Sequence, residues 1–366
     1  MRQTLTILLF LIGRLCFANM ASAIREGTFS SSAISSRNID IVKEKINLKI
    51  ADDFRTAFYQ VEYFIRADTN GRQIPLLFHA QDYKGDFKVW VDNQEVKLLT
   101  IPSEYEITAN SHFEKFSSYF SQPSEEGKPE TVVIYWQKNQ GLVYNLSDLK
   151  YFEADLTKGE HLIRVEYTAS VWTDVSDWVK EYSFRYSLSP AKYWKSFGSL
   201  EISLDASDFK YAIKTNLGNQ TKGQLDSIAV WNFSKLPDDF FEISYKPKIS
   251  AFARTMIAVG PSGLTIIFTL LIFFLHFIAI KKYRHIRPKK KYSWAVIVGS
   301  IILPFFVLIS YILSFGIIDS MIGKEAGNHH GYTFQVIILY PFLLALYGTI
   351  MWMADKRIKG QINKAL

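Results

Sequence analysis

MIAVGPSGLTIIFTLLIFFLHFIAIKKYRHIRPKKK, residues 256–291, is an apolar run that stops abruptly at a block of Lys and Arg. The run 256–280 is long enough to cross a hydrocarbon core of about 30 Å at about 1.5 Å per residue. Two more runs of this kind follow, 292–318 and 333–353. The first two are separated by Lys281, Lys282, Arg284, Arg287, Lys289, Lys290 and Lys291, and the third is followed by Lys356, Arg357, Lys359 and Lys364. Between the second and third, Lys324 is the only basic residue. Excess Lys and Arg marks the cytoplasmic flank of a membrane helix. The pattern predicts three transmembrane helices (256–280, 292–318, 333–353). A basic cytoplasmic loop (281–291), an external loop (319–332) and a cytoplasmic tail (354–366) complete this part. Residues 24–255 then lie outside the cytoplasm.

The amino terminus points the same way. Met1-Arg2 precedes an apolar stretch, 5–12, that is too short to span, and Ala21-Ser22-Ala23 offers small residues for cleavage. Residues 1–23 read as a signal peptide cut after Ala23. Arg14 interrupts the apolar run and argues against an uncleaved anchor. Cys16, the sole cysteine, follows Gly13-Arg14-Leu15 and lacks the small neighbour a lipoprotein needs. The mature chain would carry no cysteine, which removes disulfides, thiolate nucleophiles and Cys-ligated metals. An exported domain without cysteine suits a bacterial envelope.

Charge divides by compartment. The chain totals 42 Lys and Arg against 35 Asp and Glu, a net +7, but residues 24–255 hold 28 against 32. The basic balance therefore belongs to the flanks of the apolar runs, where the partner it implies is the lipid bilayer and not nucleic acid.

Residues 24–255 carry the period-2 alternation of half-buried strands. Ile46, Leu48 and Ile50 alternate with Asn47 and Lys49; Phe87, Val89 and Val91 with Lys88 and Trp90; Ile163, Val165 and Tyr167 with Arg164 and Glu166. The same holds for Phe184–Tyr186–Leu188, Leu200–Ile202–Leu204 and Phe241–Ile243–Tyr245. Asn70-Gly71, Lys84-Gly85, Asp92-Asn93, Lys158-Gly159 and Pro237-Asp238 read as turns. Short strands without long amphipathic helices between them predict a mainly β domain, an antiparallel β-sandwich. Residues 103–120 suggest one short helical excursion, and SQPSEEGKPE (121–130) an exposed loop or linker. That loop divides the domain into possible subdomains, 24–122 and 130–250, or forms a long insertion in one sandwich.

YSFRYSLSPAKYWKSFGSLEISL (182–204) and VWNFSKLPDDFFEISY (230–245) carry a further signal. Tyr186-Ser187-Leu188 leads through Ala191 to Trp194, and Trp231-Asn232-Phe233 precedes Pro237. This order resembles a family of exported bacterial β-rich domains of unknown function. The resemblance implies a β-rich exported module and brings no catalytic residue with it. Tyr186, Trp194, Trp231 and Phe233 are expected as core and corner aromatics, because aromatic side chains anchor sandwich cores. Trp172 and Trp178, in a polar stretch, are the best candidates for an exposed carbohydrate platform.

Catalytic signals are sparse: there is no phosphate-cradling glycine loop, no H-E-x-x-H and no G-x-S-x-G. Gly260-Pro261-Ser262-Gly263 suits the start of a membrane helix better than a nucleophile turn. Adjacent acidic pairs such as Asp52-Asp53 fall in turns, where solvated side chains are the simpler reading. In the external loop, Asp319, His329 and His330 combine His with carboxylate and are candidates for a metal or catalytic role. His276, deep in the first apolar run, is a candidate membrane functional residue. No cofactor is expected.

Three functional classes fit. The leading one is a non-enzymatic, membrane-anchored binding or assembly module of the bacterial inner membrane. Its helices would dock a membrane or envelope protein partner or a second copy of itself. The alternatives are a membrane-linked envelope enzyme using Asp319, His329 and His330, and an accessory subunit of a transporter.

Overall fold

In the computed structural model, residues 25–26, 29–30, 33–34, 39–68, 70–79, 83–98, 119–122, 131–137, 140–145, 149–188, 196–238, 240–328 and 330–365 are described. They fall into two compact units. A β unit contains residues 25–174 and 181–246; a helical unit contains residues 175–180 and 247 onward. The expected signal peptide, Trp194 and His329 lie outside the described residues. Of the helical excursion expected over 103–120 and the loop expected over 121–130, only Tyr119–Gln122 is described, and it is neither helix nor loop but a strand paired antiparallel with Thr131–Ile134.

The β unit is built on strands β1 (Ile39–Ile50), β2 (Thr56–Ala67), β3 (Tyr83–Val91), β4 (Gln94–Val96), β5 (Gly159–Ser170), β6 (Glu181–Ser187), β7 (Ser196–Asp205), β8 (Ile228–Phe233) and β9 (Phe240–Tyr245). An eight-stranded sheet runs Lys222–Gly223, β8, β7, β1, β2, β5, β3, β4. Its strands come from both sides of the 121–130 stretch. The alternation sets the register. Trp231, Ile202, Ile46, Val61, Val165 and Val89 are paired neighbours across six strands, and all are buried. A one-residue slip would turn that whole row to solvent, so the register is strongly specified.

Two pairings depart from the antiparallel expectation: β1 and β7 run parallel, with Ile46 opposite Ile202 and Leu48 opposite Leu204, and β6 runs parallel to the short strand Phe29–Ser30. A parallel neighbour requires a crossover connection, and for β1 and β7 the long stretch between positions 50 and 196 supplies it. A second large sheet pairs β6 with β9 and with the short strand Trp172–Asp174. Its Phe184, Tyr186, Phe241 and Ile243 are buried in the same apolar cluster as Ile46, Tyr59 and Val165.

Lys84-Gly85 lies inside β3 and not in a turn. The β3–β5 register shifts opposite that point, so the glycine marks a bulge. Asp92 and Asn93, with φ of 49° and 66°, form the tight turn between β3 and β4.

The helical unit holds α1 (Ala251–Ile286), α2 (Trp294–Ile322) and α3 (Tyr340–Ala365), the last preceded by a 3-10 helix over Thr333–Leu339. All three are long and apolar enough to cross a membrane. The basic block is partly helical, since α1 continues through Lys281, Lys282 and Arg284 before Arg287 caps it. Cationic side chains suit the negative end of the helix dipole. Gly260 interrupts α1 at φ 66°, a conformation open to glycine, and Pro261 restarts the helix at its first turn. Pro304 lies within α2, which continues through it, and Pro341 occupies the first turn of α3, where no backbone donor is lost.

Candidate functional site

Within the helical unit, the end bearing the 323–331 loop assembles the most chemically distinctive cluster. Asp319, in the last turn of α2, and His330 meet at 2.6 Å through Oδ2 and Nε2. The His330 ring lies 4.5 Å from Trp178 and 5.0 Å from Phe315, centroid to centroid, and Trp178 stacks on Phe315 at 5.7 Å. Trp178 arrives on the segment 175–180, which pairs with the loop as an isolated antiparallel bridge between Val179 and Ala326. Gly327 N donates to Trp178 O (2.9 Å), Lys180 N to Glu325 O (2.9 Å) and Lys180 Nζ to Lys324 O (3.0 Å). The structure thus joins Asp319 and His330, which sequence spacing alone could only suggest. It adds Trp178 and Phe315 as the walls around the imidazole. A carboxylate on one ring nitrogen orients a histidine for proton transfer or ligation. Among the described residues, no group of three or more His, Cys, Asp or Glu side chains is placed to hold a metal ion.

At the opposite end of the same unit, α1 and α3 are joined by a ladder with matched spacing. His276, Ile280 and Arg284 recur every four residues on α1; Tyr347, Met351 and Asp355 do so on α3. Residues at that spacing share one helix face. Tyr347 OH bonds His276 Nδ1 at 2.9 Å. Ile280 and Met351 belong to one buried apolar cluster. Arg284 grips Asp355 with two nitrogens, Nε to Oδ1 at 2.6 Å and Nη2 to Oδ2. Both side chains of the ion pair are buried.

His276 is therefore a structural crosspiece. Its Nε2 donates to Ala295 O on α2 (2.9 Å), which leaves Nδ1 to accept from the tyrosine hydroxyl. A neutral imidazole is fully satisfied by these two bonds. Gly299 makes room for it, since a Cβ there would overlap the ring.

In the β unit, two titratable groups stand out, one in the core and one half-buried. Glu44 is buried in the core; it accepts from Tyr186 OH at 3.0 Å, and Tyr63 OH lies 2.8 Å from Tyr186 OH. Burial pushes its carboxyl up from 4.5 to about 7, with the Tyr186 and Tyr63 hydroxyls pulling weakly the other way. His161 places Nδ1 on Asp92 (2.6 Å) and Nε2 on Thr157 O (2.8 Å). Both partners are acceptors, so both nitrogens must carry protons to bond. Burial opposes that charge, but Asp92 and the carbonyl outweigh it and hold the imidazole above its ordinary 6.5.

The remaining residues singled out in the sequence are dispersed. Tyr186 and Trp231 are fully buried and Phe233 is packed against the same core. Lys281, Lys282, Arg287, Lys289, Lys290, Lys291, Lys356 and Arg357 are exposed. The two tryptophans considered as a carbohydrate platform have occupied ring faces: Arg185 sits 4.6 Å over Trp172, and Phe315 and His330 flank Trp178. Asp52 and Asp53 form an exposed turn, with Arg55 N donating to Asp53 at 2.8 Å.

No protein-family model matches the chain, and no curated protein matches it. Among solved structures it is similar to a putative nutrient binding protein from Legionella pneumophila. The identity is 12% and the TM-score 0.38, over 60% of this chain and 70% of that one. It is also similar to yeast LTA4 hydrolase (8% identity, TM-score 0.30, 57% of this chain and 29% of that one). An M1 zinc metallopeptidase from Deinococcus radiodurans gives 10% identity and a TM-score of 0.27, over 58% of this chain and 43% of that one. The chain spans less than half of either enzyme. Similarities at this level assign neither a family nor an activity.

Proposed function

We propose that this protein is an extracytoplasmic binding or assembly module of a bacterial inner membrane, acting with a membrane or envelope protein partner or a second copy of itself. In this reading residues 1–23 are removed as a signal peptide and the two large sheets form a β-sandwich outside the cytoplasm. The three helices cross the bilayer with the carboxyl terminus inside. The observation that carries the proposal is the His276–Tyr347 and Arg284–Asp355 ladder. A tether needs one helix and no internal order, whereas these bonds fix three helices in a defined arrangement with constant outer faces. Such faces suit recognition of another membrane protein.

The test is photocrosslinking in whole membranes, with a photoreactive residue placed in turn at Leu271, Phe306 and Ile338, all exposed on the helical unit. A discrete protein adduct from at least one position is expected. Lipid adducts alone from all three would remove the proposal.

The Asp319–His330 pair favours one second reading, a membrane-linked envelope enzyme in which His330 handles a proton. If His330→Ala leaves the envelope phenotype of a strain lacking the wild-type protein fully complemented, this reading fails and the binding reading is untouched.

A further inference from the structure

We infer that the end of the helical unit around residues 281–294 is a preorganised docking surface for the headgroups of anionic phospholipids. The inference rests on the membrane reading above and adds a lipid class to it.

Charge is the first argument. Lys281, Lys282, Arg287, Lys289, Lys290 and Lys291 are exposed here, and Lys356 and Arg357 of α3 add to them. The only carboxylate side chain in 281–294 or 340–365 is Asp355, and it is buried against Arg284. The ion pair thus withdraws one cation and the sole anion together. What stays on the surface is uncompensated positive charge.

Shape is the second argument. Lysines on a mobile loop attract anions weakly, because ordering them costs conformational entropy. Here the backbone between α1 and α2 is held: Lys290 O accepts from Arg284 Nη1 at 2.7 Å and from Lys359 Nζ at 3.3 Å. Arg287 N caps α1 on Tyr283 O (2.9 Å), and the Ser293 side chain caps α2. The buried ion pair therefore has a second consequence, since it holds the backbone from which the lysines project.

Exposed aromatic rings select a membrane over another polyanion. Tyr292 (65% exposed), Trp294 (64%) and Trp352 (52%) flank the basic residues. The Lys356 ammonium lies 3.6 Å over the Trp352 ring. Exposed tyrosine and tryptophan beside lysine is the composition of a bilayer interface, where amphipathic rings sit at headgroup depth. Basic clusters next to a membrane helix attract anionic lipid at about 1 kcal/mol per residue.

The full-length protein, purified in mild detergent, is titrated with phosphatidylglycerol or phosphatidylcholine at about 150 mM salt, and bound lipid is counted by native mass spectrometry. The variant Lys289→Gln/Lys290→Gln/Lys291→Gln keeps the Lys290 carbonyl and hence the backbone lock. Phosphatidylglycerol is expected to bind at least tenfold more tightly than phosphatidylcholine. The triple variant should lose on the order of 100-fold of that affinity, while Lys324→Gln, in the 323–331 loop, loses none. Equal binding of the two lipids, or an unchanged triple variant, would overturn the inference. So would displacement of the lipid by an equal concentration of inorganic phosphate, or equally tight binding of a single-stranded polynucleotide. Insertion into phosphatidylcholine vesicles is scored in parallel. Failure there counts against the membrane reading itself; insertion without lipid preference counts against this inference alone.

Discussion

Glu44 shows how a single residue can set the pH response of the β unit. With the carboxyl held at about 7 instead of its ordinary 4.5, the folded state binds the proton more tightly than the unfolded chain does. Its stabilising contribution is therefore complete below about 4.5 and is lost as pH rises through about 7, a swing of about 3 kcal/mol. His161 has the same sign, since its raised value makes its contribution present below 6.5 and lost as pH climbs past the folded value. Urea unfolding of the full-length protein, followed by tryptophan fluorescence, should show the β unit more stable at pH 5 than at pH 8. Glu44→Gln should flatten that profile; a profile as steep as the wild type's would contradict this reading of Glu44. Position 44 was within reach of the sequence. Ile46, Leu48 and Ile50 define the inward phase of β1, and one more step back lands on Glu44. What hides it is the register shift between Ile41 and Lys43, which breaks the alternation just ahead of it. Gly299 makes the same point in the helical unit: nothing in its neighbours announces that the His276 ring needs its space. Gly299→Ala should lower the thermal midpoint in detergent, whereas Gly316→Ala, with open space around it, should leave the midpoint in place.

At the level of elements, the matched stripes of α1 and α3 account for helix register. Breaking a buried ion pair by removing one partner costs about 3–5 kcal/mol, because the other charge is left uncompensated. Asp355→Asn should therefore destabilise the helical unit strongly in detergent. The exchange Arg284→Asp/Asp355→Arg should recover part of the loss; no recovery would show that the pair does not set the register. A second element-scale expectation concerns the 175–180 segment, whose anchor is the Trp178 ring against Phe315 and His330. Trp178→Ala should raise the rate of limited proteolysis at Ser176–Asp177 at least several-fold. An unchanged rate would assign the hold to the backbone bonds alone. These elements were only partly legible. Two polar positions eight residues apart on each helix, 276 with 284 and 347 with 355, are visible in the sequence, and equal spacing is what a ladder requires. Sequence gives no reason for 175–180 to pair with 323–327, since the six residues VSDWVK carry no partner signal.

On the scale of the whole molecule, the alternating apolar positions were sufficient to foresee a β-rich domain, and the three apolar runs to foresee the helices. Strand order was not foreseen: the parallel β1–β7 pairing joins segments about 150 positions apart, and local alternation is blind to such pairing. The division of charge was legible in number but not in effect, because Arg284 counts as one more cation in the sequence and is buried on Asp355 in the fold.

In the proposed topology, Lys- and Arg-rich flanks thread the helices so that the β unit lies outside and the 281–291 segment inside. Single cysteines placed at Ser227 or Lys289, both exposed, on a Cys16→Ala background, report it directly. With a membrane-impermeant maleimide on intact spheroplasts, labelling is expected at position 227 at once and at position 289 only after permeabilisation. Prompt labelling at 289 with protection at 227 would contradict it.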